Sequence, residues 1–218
     1  MHPIRKIEIF NDKYPFLGPL LWILSFQYYV IQIIVSLDWP IKYSWLKNPI
    51  SDLGNTVCSI YSDRYVCSPL HNLMNLAFIV LGLTMVLGSS FIYQEFKESK
   101  FSVFGFIFVS ISGFGSILVG LYPENTIHFL HSFGAFLVFF IGNLGILTLS
   151  LTLRFERLFK IYSLISGSIG LISLILYIFH IYLGLNQGGM ERIVAYPQTI
   201  WLIVFGIYMS RNRFLINK

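Results

Sequence analysis

Five short polar stretches carry most of the side chains that could perform chemistry in this chain of 218 residues. They are NPISDLG (48–54), SPLH (68–71), YPENTIHFLH (122–131), His180 and GGMERIVAYP (188–197). Long apolar segments separate the regions 48–71, 122–131 and 180–197. If those segments cross a membrane in alternating directions, all five stretches reach the same side. The sequence therefore predicts one polar site at one face of a membrane.

Two histidines spaced three residues apart suggest a metal site. His128 and His131 would lie on one face of a helix, with Cβ atoms about 5 to 6 Å apart. His71, at the start of another helix on the same side, could supply a third nitrogen, and Asp52 or Glu191 could add an oxygen ligand or act as a general base. Zinc with an open position for water would then generate a hydrolytic nucleophile. The alternative is that these histidines cap helix ends or lie at the headgroup boundary.

Other polar residues on the same side are candidate ligand-binding groups. Glu124 and Asn125 precede an apolar segment, where the helix dipole favours a carboxylate, although capping alone would explain them. Arg192 follows a glycine pair and a glutamate, and it could bind a polar headgroup or belong to a solvated loop. Asn75 is expected to face inward as a hydrogen-bonding group between helices. His180 lies among aromatic residues of an interfacial belt and joins the site only if it faces inward.

The elements that must position these residues are membrane-spanning helices. The chain is 56% hydrophobic and only 11% charged, and its mean hydropathy is +0.71. Since about 20 apolar residues cross a bilayer as a helix, hydropathy predicts six transmembrane helices, at 16–37, 70–91, 101–121, 127–149, 161–183 and 195–209. The segments lack the alternation of barrel strands, so the predicted fold class is all-α. We expect one integral membrane domain over residues 1–218, with its first segment kept as an anchor.

The distribution of basic residues predicts the orientation of this bundle. Eleven of the 15 lysines and arginines fall on the side that holds both termini, which is typical of the cytoplasmic side. They are Arg5, Lys6, Lys13, Lys97, Lys100, Arg154, Arg157, Lys160, Arg211, Arg213 and Lys218. We therefore expect a multi-pass protein of the cell membrane with cytoplasmic termini. Because the basic residues flank helices, the net charge of +5 indicates contact with membrane lipids and no nucleic-acid partner.

The segment 38–69, between the first two predicted helices, is the long outward loop. We expect it to cover the mouth of the bundle as a cap, because structureless loops of this length are uncommon. It contains both cysteines, Cys58 and Cys67, and the outward side permits a disulfide between them. Ser51 and Asp52 are predicted to lie on a short helical turn within the cap. Pro197 is predicted to mark the entry to the sixth helix.

Taken together, NPISDLG, the paired cysteines followed by SPLHNLMN, PENTIHFLH with GAFLVFFIGN, and GGMERIVAYP resemble the DUF998 family of membrane proteins, whose name records an unknown function. The resemblance spans the first to the sixth helix. A looser similarity connects the chain with the CREST superfamily of membrane hydrolases, which use an Asp, a Ser and three His around zinc. That similarity implies catalytic roles for Ser51 and Asp52, and zinc ligation by His71, His128 and His131.

Three functional hypotheses follow from these patterns. The leading one is an outward-facing polar pocket that binds a lipid headgroup or another amphipathic molecule. The second is a zinc-dependent membrane hydrolase acting on a lipid-like substrate, with Glu191 or Asp52 as the base. The third is a transporter or a structural subunit of a membrane complex, in which the same residues form a buried polar network. A transporter should carry charged or helix-breaking residues near mid-membrane, and the sequence shows almost none.

Overall fold

Long apolar helices account for most of the computed structural model, which describes residues 14–96 and 101–216, with side chains described as far as Arg211. Within these residues six helices are long and apolar enough to cross a membrane. They are α1 (Leu17–Leu37), α2 (His71–Phe96), α3 (Ser102–Leu121), α4 (His128–Thr152), α5 (Arg157–Ile178) and α6 (Asn186–Ile216). The predicted all-α, six-helix architecture is confirmed.

Several of the basic residues that predict the orientation fall outside this description. Arg5, Lys6, Lys13, Lys97, Lys100 and Lys218 lie outside the described residues, and only the backbone of Arg213 is described. Arg154 and Arg157 lie at the junction of α4 and α5, at the end of the bundle opposite the long loop 38–70.

Three of the helices change geometry along their length. The first helix consists of the α-helices Leu17–Leu24 and Gln27–Leu37, and α2 is α-helical over His71–Tyr93 before a 3-10 turn at Gln94–Phe96. The fourth helix has an outer α-helical part, His128–Phe136, a π-helical part, Leu137–Gly142, and an inner α-helical part, Asn143–Thr152. A π-helical insertion shifts the face that the outer part presents relative to the inner part.

Paired glycines allow α2, α3 and α4 to pack with their backbones in close approach. A Cβ atom added to Gly82 of α2 would lie 2.3 Å from the carbonyl oxygen of Gly113 of α3, and one added to Gly113 would lie 2.7 Å from that of Gly82. Gly115 of α3 and Gly134 of α4 have the same reciprocal relation, at 2.6 and 2.7 Å. Small residues at a helix crossing favour tight association in lipid. The first crossing fixes α2 against α3, and the second fixes the outer part of α4 against α3.

Aromatic packing fills the inner half of the bundle. Trp22 of α1 packs against Trp201 and Phe205 of α6, with ring centroids 5.8 and 5.2 Å apart. All three side chains are fully buried. Because buried aromatic rings contribute large apolar areas, this cluster is a main stabilising element of the core. The buried charged residues of the described chain lie toward the other end, beneath the cap.

The cap between α1 and α2 is an ordered structure. It contains a 3-10 turn, Ser51–Gly54, and an antiparallel hairpin of β1 (Ser59–Tyr61) and β2 (Arg64–Val66), in which Ser59 pairs with Val66. A disulfide joins Cys58 and Cys67 at the open end of the hairpin. The predicted disulfide and the predicted helical turn are confirmed. The sequence analysis did not predict the two short strands.

The predicted start of the sixth helix is wrong by about two turns. The helix begins at Asn186, so Pro197 lies inside it rather than at its entry. The polar stretch 186–194 has low hydropathy and was therefore left out of the predicted helix. In the structure the cap supplies polar partners for this stretch. The backbone N–H of Gly189 donates to the carbonyl of Leu46 at 2.9 Å, and a Cβ on Gly188 would lie 2.2 Å from the carbonyl oxygen of Asn48.

The fifth helix is also displaced towards the N-terminus of the chain relative to its prediction, 161–183. It begins at Arg157 and ends at Ile178, so His180 lies beyond the helix and not near its end within it. The backbone of His180 has a φ of +57° and that of Gly184 a φ of +82°, which turns the chain sharply towards α6.

Candidate functional site

An ion pair inside the cap fixes the turn that carries Ser51. The carboxylate of Asp52 is fully buried and accepts two hydrogen bonds from Arg64, at 2.6 Å from Nη2 and 2.8 Å from Nε. Asn48 Nδ2 donates to the same carboxylate at 2.9 Å. Bidentate pairing of this kind holds both side chains in one geometry. The 3-10 turn and the hairpin are therefore joined into one unit.

Arg192 fastens the cap to the start of α6. Its Nη1 lies 2.8 Å from each of three backbone carbonyl oxygens, those of Trp45, Asn48 and Gly188, and its Nη2 donates to the hydroxyl of Tyr43. The guanidinium also lies over the rings of Tyr43 and Trp45, 5.5 and 4.8 Å from their centroids. These contacts make Arg192 a structural clamp beneath the cap, and its ligand-binding role stays a prediction.

Glu191, the neighbour of Arg192, faces the other side of the helix. Its carboxylate Oε2 accepts the backbone N–H of Ile50 at 2.9 Å, and the side chain is buried. Ile50 directly precedes Ser51, and its carbonyl accepts the N–H of Leu53 at 3.1 Å. The position of Ser51 is thus fixed from two directions.

Ser51 and His131 form a hydrogen-bonded pair at the junction of cap and bundle. The Oγ of Ser51 lies 3.0 Å from Nε2 of His131, and Nδ1 of His131 lies 2.9 Å from the carbonyl oxygen of Tyr122. A carbonyl oxygen only accepts, so Nδ1 carries the imidazole proton and Nε2 is the acceptor. The hydroxyl of Ser51 therefore donates to the imidazole. His131 is buried, while Ser51 is half-buried.

Glu124 is a second buried acid in the connection between α3 and α4. Burial, followed by the nearby charge of Asp52 and a hydrogen bond to that carboxylate, raises the pKa of Glu124 to about 9. Asn55 Nδ2 donates to Oε1 of Glu124 at 3.2 Å, and the hydroxyl of Tyr61 donates to its backbone carbonyl at 2.9 Å. At neutral pH the carboxyl group of Glu124 is protonated and acts as the donor towards Asp52.

A cleft of about 280 Å³ joins these groups to the apolar surface of the bundle. Its polar end is formed by side chains of the cap, the α3–α4 connection, α4 and α6, namely Ser51, Tyr61, Arg64, Glu124, His128, His131, Gln187 and Glu191. Its apolar walls come from α4 and α5, namely Ala135, Phe136, Phe139, Leu174 and Ile178. A narrow apolar cavity continues below Ser51 and His131 between Tyr28, Phe78, Leu81 and Val119.

The cleft opens because α4 and α5 separate towards their outer ends. The inner part of α4, Asn143–Thr152, packs on both α3 and α5, whereas the outer part, His128–Phe136, packs chiefly on α3. The π-helical part lies between the two. Phe136 and Ile178, on the two walls, are about half exposed, at 47% and 58%. In a membrane these walls face lipid, so the cleft is accessible from the side of the bilayer.

One comparison with known proteins identifies the family of the chain. A family model described as a protein of unknown function, DUF998, matches residues 23–208. The chain belongs to the DUF998 family. The matched region contains the cap and the whole cleft, and it confirms the predicted resemblance. No curated protein and no solved structure shows a significant match, and the comparisons do not show the similarity to CREST hydrolases.

The structure of this DUF998 protein brings together part of the predicted site. Ser51, Glu124, His128, His131 and Glu191 line one cleft, although they come from three separate stretches of the chain, 48–54, 122–131 and 188–197. Asp52 lies directly behind them, bound to Arg64, which also lines the cleft.

Other predicted ligand-binding residues have structural partners outside the cleft. Asn75 Nδ2 donates to the carbonyl of Gly54 at 2.9 Å, and Asn125 bonds the backbone N–H and the hydroxyl of Thr56. His180 is exposed, and its Nδ1 lies 2.9 Å from the hydroxyl of Tyr182. These three residues shape the cap and the α5–α6 connection.

The predicted zinc ligands are not assembled into one group. In the part of the chain that the structure describes, no three His, Cys, Asp or Glu side chains form a cluster that could hold a metal ion. His71 Nδ1 instead lies 2.9 Å from the carbonyl oxygen of Ser68 at the start of α2. His128 is exposed and contacts the hydroxyls of Tyr61 and Ser132, each at 3.3 Å. Zinc dependence itself stays a prediction.

Sequence reasoning missed several residues of the cleft. Arg64 lies between the two cysteines, and a lone arginine in a disulfide-closed loop was a usable signal. Nη1 of Arg64 also donates to Oε1 of Gln187 of α6 at 3.4 Å. Nε2 of Gln187 in turn donates to the hydroxyl of Tyr177 of α5 at 3.3 Å. Phe136 and Phe139 carried no distinguishing signal, since phenylalanine is frequent throughout the chain.

Proposed function

We propose that this protein binds an amphipathic, lipid-like molecule in the cleft between α4 and α5. The head of the ligand lies beneath the cap, and its hydrocarbon chain runs between the two helices towards the membrane. One observation carries this proposal: a single cleft has buried ionisable groups at one end and half-exposed apolar walls at the other. Amphipathic ligands match such a division of polar and apolar surface.

The polar end provides the selectivity of this binding. A hydrocarbon chain that leaves the bilayer for an apolar cleft gains little, because lipid and protein walls are similarly apolar. Hydrogen bonds and charge at the head therefore distinguish one ligand from another. Arg64, whose charge is paired with Asp52, offers Nη1 as a hydrogen-bond donor, and the imidazole of His128 and the hydroxyl of Tyr61 offer further polar contacts. Such an arrangement suits a head with carbonyl or other acceptor oxygens.

The close packing of the inner half of the helix bundle favours a binding function rather than transport. The cluster of Trp22, Trp201 and Phe205 fills the bundle towards the inner side. A transporter needs a pathway that opens alternately to both sides. The cleft opens towards the outer end and towards lipid, which favours a binding site.

We also propose that the protein spans the cell membrane with its cap outside and its termini in the cytoplasm. The excess of basic residues in the termini and in the second and fourth connections of the sequence supports this orientation, and the described Arg154 and Arg157 lie at the end opposite the cap. Two single-cysteine variants test this orientation. Lys42→Cys places the cysteine in the cap, and Glu156→Cys places it in the α4–α5 connection. A membrane-impermeant maleimide should label the first in intact cells and the second only after lysis, and the reverse pattern would refute the orientation.

Native mass spectrometry of the purified protein tests ligand binding. Ala135 lines the cleft, so Ala135→Trp should fill it and reduce bound lipid by about tenfold, equivalent to about 1.4 kcal/mol of binding free energy. Leu76→Trp introduces the same side chain on the exposed surface of α2 and should leave occupancy unchanged. Separate additions of a diacyl phospholipid and a single-chain amphiphile show which of these two kinds of ligand the cleft binds. Equal occupancy in all three proteins would refute the proposed site.

A further inference from the structure

We infer that Ser51 is a nucleophile with His131 as its general base, and that the protein transfers the acyl group of an ester-bearing amphiphile to water. This inference rests on the proposed function, because the cleft must hold the acyl chain for the ester to reach Ser51. It differs from the zinc mechanism in that the attacking atom is the serine oxygen.

The geometry of the pair is that of an activated nucleophile. Such a nucleophile needs a base within hydrogen-bonding distance and a third group that orients the base. Ser51 Oγ lies 3.0 Å from His131 Nε2, and the carbonyl of Tyr122, 2.9 Å from Nδ1, orients the imidazole. The carbonyl takes the place that a carboxylate holds in a Ser-His-Asp triad.

A neighbouring serine–histidine pair provides an internal comparison. Ser132 Oγ lies 3.3 Å from His128 Nε2, but both residues are exposed, and His128 Nδ1 lies 3.3 Å from the hydroxyl of Tyr61. A tyrosine hydroxyl can donate or accept, so it does not fix which nitrogen of His128 carries the proton. Of these two pairs, that of Ser51 and His131 combines a buried base with a fixed tautomer.

The proposed reaction proceeds in two steps through an ester of Ser51. The Oγ of Ser51 attacks the ester carbonyl carbon while its proton moves to Nε2 of His131. The tetrahedral intermediate expels the alcohol, which takes the proton from Nε2, and an acyl-Ser51 ester remains. A water molecule then attacks this ester as its proton moves to His131, the carboxylic acid leaves, and the proton returns to Ser51. Arg64 lines the same cleft, and Nη1 of its guanidinium, which is not bound to Asp52, is a donor for the developing oxyanion.

The walls of the cleft define the substrate class. Phe136, Phe139 and Leu174 extend from the polar end along α4 and α5 and can accommodate a hydrocarbon chain. Ser51 and His131 also border the apolar cavity beneath them. The reactive carbonyl would therefore lie at the junction of a polar head and an apolar tail, which is the position of the ester in an acyl lipid.

A fluorophosphonate probe with an alkyl chain tests the inference, because serine displaces its fluoride to give a stable adduct. The full chain in phosphatidylcholine nanodiscs is treated with the probe, and peptide mapping locates the adduct. We expect modification of Ser51, no adduct at this position in Ser51→Ala, and labelling slowed by about a hundredfold in His131→Gln, as general bases contribute at least this factor. Ser90→Ala, which changes an exposed serine of α2 outside the cleft, should react at the wild-type rate.

The results separate failure of the reaction from failure of binding. Native mass spectrometry of the same samples records lipid occupancy. Lipid bound in the cleft without an adduct at Ser51 would overturn the dyad and leave the binding proposal intact, whereas absence of both would overturn both. Unchanged labelling in His131→Gln would also overturn the dyad. The location of the adduct in the wild-type protein gives the answer even if a variant fails to fold.

Discussion

Two buried acidic residues beneath the cap, Asp52 and Glu124, have different hydrogen-bond partners and different charges. Asp52 is paired with Arg64, and both its oxygens accept charged donors. Glu124 contacts Asp52 and Asn55, and burial beside the first carboxylate raises its pKa. One acid is thus a charged anchor and the other a neutral donor at physiological pH, which is the usual outcome when two carboxyl groups share a site.

The protonation of Glu124 makes stability depend on pH. The pKa of Glu124 is about 9 in the folded protein, whereas the ordinary value of a glutamate, taken for the unfolded chain, is 4.5. The stabilising contribution of the protonated group is therefore complete below about pH 4.5 and is lost as pH rises towards 9. The free energy of unfolding should therefore fall across this range. Glu124→Gln, which keeps a neutral donor, should flatten that dependence. Denaturant unfolding in detergent measures it at several pH values.

An exposed acid provides the matched control for this measurement. Glu156 lies in the α4–α5 connection and is exposed, so Glu156→Gln should keep the wild-type pH dependence. If Glu124→Gln and the wild type lost stability with the same slope, Glu124 would not be protonated in the folded protein at neutral pH.

Spacing alone could not distinguish the two histidines of α4. The interval of three residues correctly placed His128 and His131 on one helix near the polar site. It could not show that His131 is buried against Ser51, 80 residues away, while His128 is exposed. That difference arises from the packing of α4 on α3 at Gly115 and Gly134, and a pattern within one helix contains no information about its neighbour.

Element-scale organisation depends on the cap being a folded unit. The sequence predicted a short helical turn and a disulfide there, and both are present. It did not predict the start of α6, because Glu191 and Arg192 lower the hydropathy of that stretch. Their partners, the backbone of Ile50 and the carbonyls of Trp45 and Asn48, lie more than 140 residues earlier in the chain.

The disulfide should contribute measurably to the stability of the cap. Cys58 and Cys67 close a short loop, with a sequence separation of 9, and a cross-link over about ten residues is worth about 2 to 3 kcal/mol in the chain-entropy model. The Cys58→Ser/Cys67→Ser variant should unfold at correspondingly lower denaturant, and its bound lipid should decrease because Tyr61 and Arg64 lie in this loop. Reductant should shift the wild type in the same way and leave the variant unchanged. Equal unfolding midpoints for both proteins would contradict this role.

At the scale of the whole molecule, the bundle is closed towards one side of the membrane and open towards the other. The sequence predicted the six helices and the convergence of the polar stretches at one end. It did not predict which helices separate, since small residues on the buried face of α5, such as Ser163, Gly167 and Gly170, indicate close packing but not the neighbour on which the helix packs. The cleft exists because the inner part of α4 packs on α5 and the outer part packs chiefly on α3.

Photo-crosslinking with a diazirine-bearing acyl lipid in nanodiscs tests the central claim most directly. Phe139 and Leu174 line the cleft, and Leu174 is only 6% exposed, so an adduct on these residues requires that the chain enter between α4 and α5. We predict adducts at Phe139 and Leu174 that excess unlabelled lipid suppresses and that Ala135→Trp reduces by about tenfold, equivalent to about 1.4 kcal/mol of binding free energy. Adducts confined to outward-facing residues such as Leu83 and Ile107 would contradict the account.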